Sequence, residues 1–493
     1  MQQAMENGSG QERTTLKKSM SPLAIWALAF GAIIGWGAFV MPGFRFLPVA
    51  GPLGACLGFA IGAVMFMFVA AAYGKLVGLY PVAGGVFAFA YGVFGSTAAF
   101  ICGWALVLGY VSFIALNATA LVLLTRFLMP GVLEFGYMYT IEGWRVFAGE
   151  LLFIEAVLFF FGYMNYRGAS LAAFLQTILA FMLTFGVIGL VVGAANAPTA
   201  GTANLQPLFA EGKSAFACIA AIVAIAPWLF AGFDTIPQAA EEFNFSPNQA
   251  IGLMVASIAC GAAVYCLVTL AVGMVIPYPE LLAQNPPWHA GLTAKLSMGG
   301  FGTVVLGCAV LGAILTGING FFVACTRLLF SMGRARILPR WFADLHPVHQ
   351  TPRNSIMFAV LLVTIAPLFG REVLGWVVDM SSLGIVVAYF YACWAAYRVL
   401  GNSPEVADRG FYRVMAVLGC LSSVACFGLL VVPGSPAAIG IQSWAALLVW
   451  VGLGVVLYFT RLGEVRGFSE RERSLFLILG DAELADALKA VAR

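Results

Sequence analysis

The first apolar segment of the chain carries three closely spaced glycines, in the run Phe30-Gly31-Ala32-Ile33-Ile34-Gly35-Trp36-Gly37-Ala38-Phe39. This segment extends from about 22 to 40 and is long enough to cross a bilayer as a helix. Because glycine has no Cβ, the chain can leave helical geometry here at little steric cost. The run therefore predicts one of two features: a helix broken at mid-membrane, where freed backbone groups face a ligand, or a close contact between two helices.

Composition places the protein in a membrane. Of its 493 residues, 62% are hydrophobic and 10% are charged, whereas soluble domains carry about 25% charged residues. The net charge of +3 is small, and no nucleic-acid-binding pattern is present. The sequence has no catalytic cluster, metal-ligand set or phosphate loop. We therefore expect a polytopic membrane protein that is not an enzyme, uses no cofactor and binds no nucleic acid.

Cysteine and histidine give no sign of a metal site. The ten cysteines are scattered and form no CxxC pair, so neither a disulfide framework nor a zinc site is indicated. The three histidines, His289, His346 and His349, fall in predicted loops and are expected to be solvated.

The apolar segments predict an all-α protein with twelve transmembrane helices. They leave a cytoplasmic N-terminal segment (1–20) and a cytoplasmic tail (461–493) at the two ends, with five spans in 21–195, five in 214–398 and two in 411–460. The predicted spans are 21–44, 51–75, 95–127, 147–164, 168–194, 214–240, 249–276, 301–331, 354–370, 373–398, 412–432 and 442–460.

Positive charges orient these spans. Cytoplasmic loops of membrane proteins carry an excess of Lys and Arg. With both termini in the cytoplasm, only six of the 25 basic residues fall outside: Arg45, Arg126, Arg145, Lys213, Lys295 and Arg371. We therefore expect a multi-pass protein of the plasma (inner) membrane with both termini cytoplasmic.

A second interruption falls in the sixth predicted span. Pro227, Gly232 and Pro237 divide one apolar run, and Asp234 lies among them. Proline removes a backbone donor and clashes with the preceding turn. A charge at membrane depth costs roughly 2.5–3.5 kcal/mol on insertion scales, so Asp234 must face protein or water. Two interruptions five spans apart predict a five-plus-five inverted repeat with broken helices 1 and 6.

Short motifs recur in a fixed order along residues 21–400. They are Gly31 to Phe39, Pro81-Val82-Ala83-Gly84-Gly85-Val86-Phe87, Gly103-Trp104, Phe230-Ala231-Gly232-Phe233-Asp234, Ala240-Glu241-Glu242, Arg327 to Pro339 and Thr351-Pro352. Together they resemble the amino acid–polyamine–organocation transporter family. The resemblance implies two intertwined five-helix repeats plus two accessory helices. It also implies secondary active transport of amino acids or related amines by alternating access.

The resemblance places the substrate between the two breaks, at Ile34, Gly35, Trp36, Gly37, Phe230, Ala231, Gly232 and Asp234. Amides of the first break can bind a carboxylate, and carbonyls of the second can bind an ammonium group. Asp234 can pair with that ammonium or cap the second half-helix. Trp36 stands where the family usually has a small or hydroxylated residue, which predicts a small substrate if the indole points inward.

Three residues are candidate gates by the same resemblance. Trp228 matches an aromatic residue that closes over the substrate from outside, and Phe321 matches a second aromatic residue lining the site. The alternative for both is core packing or lipid contact. Glu241, with Glu242, matches acids that pair with basic residues such as Arg334 at the inner gate; the alternative is a solvated helix end.

The sequence leaves open which gradient drives transport. Thr316 and Asn319 are polar residues of the eighth span that can face the first, and Glu155 and Asp379 are the other intramembrane acids. Some relatives carry a lysine in span five, but here Leu183 falls at that position. Three mechanisms remain: exchange, proton coupling through Asp234 or Glu155, and a sodium ion held by helix-one carbonyls with Thr316. Thr316 carries the single hydroxyl near the middle of the eighth span, which favours proton coupling or exchange over sodium.

Two other functions remain to be considered. One is a polyamine- or ethanolamine-type organocation transporter or exchanger, and the other is a membrane sensor that binds the same ligand without transporting it. The leading hypothesis is an amino acid permease with a small-molecule substrate, the bilayer as its surroundings and a proton or sodium ion as a candidate coupling partner.

Overall fold

The computed structural model describes residues 16–460 apart from 142, 285, 287, 371–373, 405, 436 and 437. Most of the predicted N-terminal segment and the whole predicted tail, 461–493, lie outside the described residues.

The described chain is mostly helical, because long apolar runs satisfy their backbone hydrogen bonds within one helix. The elements are α1 (Pro22–Ile34), α2 (Gly37–Met41), α3 (Leu47–Leu79), α4 (Val86–Phe94), α5 (Ser96–Leu128), β1 (Tyr137–Ile141), β2 (Trp144–Phe147), α6 (Ala148–Arg167), α7 (Ala169–Ala195), α8 (Ala215–Val223), α9 (Ala226–Phe230), α10 (Thr235–Gln238), α11 (Ala250–Met274), α12 (Tyr278–Ala283), α13 (His289–Arg334), α14 (Arg353–Ile365), α15 (Leu374–Asn402), α16 (Arg409–Val431) and α17 (Ile441–Thr460).

Among the described residues, nine helices are long and apolar enough to cross a membrane, which makes this a multi-pass membrane protein. The number is smaller than the twelve predicted spans for three reasons. The first two predicted spans follow each other within one helical stretch, Pro22–Leu79. The sixth is divided into α8, α9 and α10, and the ninth, α14, has only 13 residues.

A two-stranded antiparallel sheet between α5 and α6 was not predicted. Tyr139 pairs with Val146 and Ile141 with Trp144, and Gly143 takes a φ of 82° at the turn. Aromatic and β-branched residues around a glycine turn are a hairpin signal, but the strands have only five and four residues. The end of the bundle that carries this hairpin is called here the hairpin side, and the end that carries Glu241 is called the opposite side.

The longest helix, α13, lies at the centre and packs mainly against α7 and α5. Small residues allow this approach, since a Cβ added to Gly186 of α7 would lie 2.3 Å from the Cβ of Ala309. A kink at Gly299 (φ 63°) separates the predicted span from a first part that was expected to be loop. That part is helical because its apolar face packs on the protein. His289, at its start, is buried and not solvated as expected.

Candidate functional site

Both predicted interruptions are present as breaks in helical geometry. Helix α1 ends at Ile34 because Gly35 adopts φ 46° and ψ −169°, and α2 starts at Gly37. Helix α9 ends at Phe230, and Gly232 adopts φ 130° before α10 starts at Thr235. L-residues with a side chain rarely adopt either φ value, so glycine is required at both points.

The two breaks touch each other. A Cβ added to Gly232 would lie 2.7 Å from the backbone nitrogen of Ile33. The hydroxyl of Tyr265, on α11, lies 2.8 Å from the Ile33 carbonyl oxygen and 3.1 Å from that of Leu229. Tyr265 therefore holds the two broken helices side by side, a role that sequence reasoning missed.

Unused backbone groups remain at this junction. The N–H groups of Trp36 and Gly37 donate to no other described residue, and the carbonyls of Phe230 and Ala231 accept from none. The first break thus offers donors and the second offers acceptors, and the two breaks touch at Ile33 and Gly232. The Gly35 N–H group is engaged with the Gly31 carbonyl at 3.4 Å.

Asp234 is fully buried behind the second break. Its Oδ1 accepts hydrogen bonds from the Gly232 N–H group at 2.8 Å and from the Tyr389 hydroxyl at 3.0 Å. Its Oδ2 accepts from the Tyr110 hydroxyl at 2.7 Å. No described Lys or Arg pairs with it. The carboxylate therefore ties the unwound segment to α5 and α15, through two tyrosines that the sequence analysis did not single out.

Trp228 lies against the first break. Its indole meets that of Trp36 edge-on, with ring centroids 6.2 Å apart. A Cβ added to Gly37 would lie 2.3 Å from Cη2 of Trp228. Phe321 is buried further inside and stacks on Phe113 at 4.6 Å, so it has no lipid contact.

A cavity of about 450 Å³ lies on the hairpin side of this indole pair. Five of its twelve lining residues are aromatic, among them Trp36, Trp144 and Trp288. Arg126 also lines it, but its guanidinium is paired with Glu150 at 2.5 Å and lies 3.9 Å from the centre of the Trp144 ring. The positive charge of Arg126 in the cavity is therefore balanced by the Glu150 carboxylate.

The opposite side is closed by two ion pairs. Glu241 pairs with Arg334 at 2.9 Å, and the fully buried Arg327 pairs with Glu242 at 2.6 Å. Burial by itself would raise the pKa of Glu241, but the positive charge of Arg334 and its hydrogen bonds outweigh burial, and the pKa lies below its usual value. Glu241 is thus not a solvated helix end.

The coupling candidates are dispersed. The Thr316 hydroxyl lies 3.2 Å from the Gly31 carbonyl of α1, as expected. Asn319 points away from α1 and donates to the Gln176 side chain at 2.8 Å. Gln176, which was not a candidate, reaches the Ala27 carbonyl at 3.1 Å. Glu155, on α6, makes no hydrogen bond with either break in the described part of the chain.

Comparison with known proteins identifies the class. The amino acid permease family matches residues 20–454. The methylthioribose transporter of Bacillus subtilis (strain 168) is 25% identical over 479 residues, covering 92% of this chain and 96% of that protein. The branched-chain amino acid permease BcaP of the same organism is 26% identical, covering 90% and 93%. The glutamate/serine transporter AimA of the same organism is 26% identical, covering 92% of this chain and 84% of that protein.

These relatives carry different substrates in their names, so they show the class of protein and not the compound. With a family match over almost the whole described chain, the chain belongs to the amino acid permease family, and it is a membrane transporter, not an enzyme.

Proposed function

We propose that this protein is a secondary active transporter that moves a small amino acid across the plasma membrane by alternating access. The observation that carries the proposal is the pair of touching breaks. The first break offers the free N–H groups of Trp36 and Gly37, and the second break, which touches it at Gly232 and Ile33, offers the free carbonyls of Phe230 and Ala231. An amino acid is a zwitterion, so it needs both kinds of partner within a few ångströms.

In this proposal the substrate carboxylate accepts from the first break and the ammonium group donates to the second. The substrate then lies along Ile34, Gly35 and Gly232. Asp234 supports the second break from behind, since it already accepts three hydrogen bonds. An organocation without a carboxylate would leave the N–H groups of the first break unpaired. The junction therefore favours an amino acid over a polyamine.

The topology is proposed to have twelve spans in a five-plus-five arrangement. Supporting this, the nine long helices become twelve when Pro22–Leu79 is counted as two spans and α8–α10 and α14 as one each. In this proposal the opposite side, where Lys and Arg are in excess, is cytoplasmic and the hairpin side is external.

Access is proposed to alternate between the indole pair and the ion pairs. Trp36 and Trp228 would form the outer gate, with Phe321 beneath them, and Glu241 with Arg334 the inner gate. A cavity on the hairpin side and a closed opposite side correspond to a form that faces outward.

Uptake of each of the twenty radiolabelled amino acids, and of putrescine and ethanolamine, into liposomes containing the purified protein tests this proposal. Saturable uptake of a small amino acid, lost in empty liposomes, is expected. Uptake of an amine alone would favour the organocation function. Saturable binding without uptake under pH, sodium and counter-substrate gradients would favour a sensor.

A further inference from the structure

The cavity on the hairpin side of the indole pair offers hydrogen-bond donors to a ligand and no acceptors. Its aromatic lining residues are Trp36, Phe44, Phe127, Trp144 and Trp288. Besides the indole groups, the guanidinium of Arg126 is the only polar side-chain group among the described lining residues. Indole and guanidinium groups donate hydrogen bonds but do not accept them. A ligand that fits the described lining therefore needs an acceptor of its own.

One nitrogen of the Arg126 guanidinium is left for such a ligand. Nε and Nη2 donate to the Glu150 carboxylate at 2.5 and 2.7 Å, and Nη2 also donates to the Arg145 carbonyl at 2.7 Å. Nη1 donates to no other described residue, and neither does the indole N–H group of Trp36. The guanidinium lies 3.9 Å from the centre of the Trp144 ring. It is thus held in place, so a ligand that binds Nη1 does not have to order it.

The charge of the cavity selects among ligands that carry an acceptor. Arg126 is already paired with Glu150, whose side chain is 3% exposed. An anionic ligand would add an unbalanced negative charge beside that carboxylate. A cationic amine has only donors and would meet the positive charge of Arg126. An uncharged carbonyl can accept from Nη1 and leaves the ion pair balanced. An aromatic body suits the rest of the lining, because aromatic pairs stabilise each other beyond the area that they bury.

We propose that this cavity is a binding site for an uncharged aromatic molecule that carries a carbonyl acceptor. The ring of the ligand lies among the aromatic side chains, and its carbonyl accepts from Nη1 of Arg126. With about 450 Å³, the cavity has room for a molecule of two fused rings. Since it lies on the hairpin side of Trp36 and Trp228, a bound ligand obstructs the path from that side to the two breaks. Binding is independent of the proposed function, whereas obstruction of uptake presupposes it.

Three probes of the same shape test the chemical class. Naphthamide is uncharged and has a carbonyl acceptor, naphthoate is its anionic counterpart, and naphthylmethylamine is a cation without an acceptor. Dissociation constants are measured by calorimetry on the purified full-length protein at neutral pH. The wild-type protein should bind naphthamide at least tenfold more tightly than either charged probe.

Three variants locate the bound probe. Leu123→Trp places an indole in the cavity from a half-buried lining position and should weaken naphthamide binding at least tenfold. Arg126→Met combined with Glu150→Leu removes the donor without leaving a buried charge unpaired, and should weaken binding at least fivefold. Arg145→Met is the control, because the Arg145 guanidinium lies over the Tyr137 ring and Arg145 is not among the described lining residues. It should stay within about twofold of wild type, and melting temperatures check folding.

Two results would overturn the proposed site. One is binding of naphthamide by the wild-type protein that is no tighter than that of the charged probes. The other is wild-type affinity in the combined Arg126→Met and Glu150→Leu variant, which decides the location even if Leu123→Trp does not fold.

Uptake separates this site from the proposed function. Naphthamide at about ten times its dissociation constant should slow uptake of a labelled small amino acid at least fivefold. Unchanged uptake would overturn the obstruction of the path. A wild-type protein that binds naphthamide and transports no amino acid would overturn the proposed function and leave the binding site standing.

Discussion

The three glycines of the first break serve three different purposes. Gly31 allows close packing, since a Cβ there would lie 2.5 Å from the Cβ of Thr316. Gly35 supplies a left-handed φ of 46° that ends α1. Gly37 leaves room for the indole of Trp228. The run therefore contains both a break in the helix, at Gly35, and close contacts, at Gly31 and Gly37.

Gly37→Ala should impair transport by displacing Trp228. The added Cβ would lie 2.3 Å from Cη2 of the indole, so the ring must move. Overpacking of this kind costs about 1–3 kcal/mol, which corresponds to about a five- to 150-fold change if it falls on one state of the transport cycle. We expect uptake to fall at least fivefold while expression stays normal.

Gly252→Ala is the matched control, because nothing lies within 4 Å of a Cβ at that exposed helical position. The initial uptake rate and the melting temperature are measured for both variants and compared with those of the wild-type protein. Wild-type uptake by Gly37→Ala would mean that the contact between Gly37 and Trp228 has no part in transport.

Trp36→Ser should admit larger substrates. Trp36 lines the cavity and contacts Trp228, so its indole occupies space directly beside the break. Replacing it with serine removes most of that volume. We expect competition by L-tryptophan and L-arginine against a small labelled amino acid to strengthen several-fold, while competition by L-alanine changes little. The inhibition constants of the three competitors measure this; the same selectivity in both proteins would contradict a limit on substrate size set by Trp36.

At the scale of elements, the sequence predicted where the helices lie in the chain better than it predicted which side chains connect one helix to another. Proline, glycine and hydropathy are local signals, so both breaks and most span bounds could be read from them. Tyr110 and Asp234 are 124 positions apart, and nothing local in the sequence links them. A single polar residue in an apolar helix, such as Asn117 or Gln176, likewise gives no sign of which helix it faces.

The closure on the opposite side joins four segments. Glu241 accepts from the Leu16 and Ala83 N–H groups as well as from Arg334, while the Ser19 and Met20 N–H groups donate to the Glu242 carbonyl. The N-terminal segment is thus held against the end of the broken helix by the same short stretch that carries the ion pairs.

Glu241→Gln should loosen this closure. Removing one partner of a buried ion pair costs about 3–5 kcal/mol, because the other charge stays buried. We expect hydrogen exchange at Ser19 and Met20 to accelerate at least tenfold at neutral pH, and exchange in β1 and β2 to stay unchanged as an internal control. Unchanged exchange at Ser19 and Met20 would show that Glu241 does not hold the closure.

The pH dependence of the wild-type closure follows from the same pair. The pKa of Glu241 is lowered in the folded protein, so its contribution to stability is fully present above the usual pKa of a glutamate. That contribution is lost only as the pH falls through the lowered value. Exchange at Ser19 and Met20, corrected for its intrinsic pH dependence, should therefore be constant around neutral pH and rise only in acid. A rise near pH 7 would assign the closure to another titrating group.

At the scale of the whole molecule, the question is what drives the cycle. Two carbonyls of α1, those of Ala27 and Gly31, already accept hydrogen bonds from side chains of α7 and α13. The Gln176 amide donates to the Ala27 carbonyl and lies 3.3 Å from the Thr316 carbonyl, and the Thr316 hydroxyl lies 2.8 Å from a carbonyl of its own helix. A sodium ion would need these oxygens as ligands and would have to displace a neutral side chain.

Uptake should therefore not require sodium. We expect a labelled small amino acid to accumulate in proteoliposomes under an inward proton gradient or against a preloaded counter-substrate, with rates in sodium and in potassium buffers within about twofold. Gln176→Glu places a carboxylate among the same oxygens, which favours a cation there, and should make uptake depend on sodium where the wild type does not. Gln176→Leu, the control, removes the amide without adding charge and should slow uptake without changing its ion dependence. Strict sodium dependence of the wild-type protein would show that the Gln176 amide yields to a cation during the cycle.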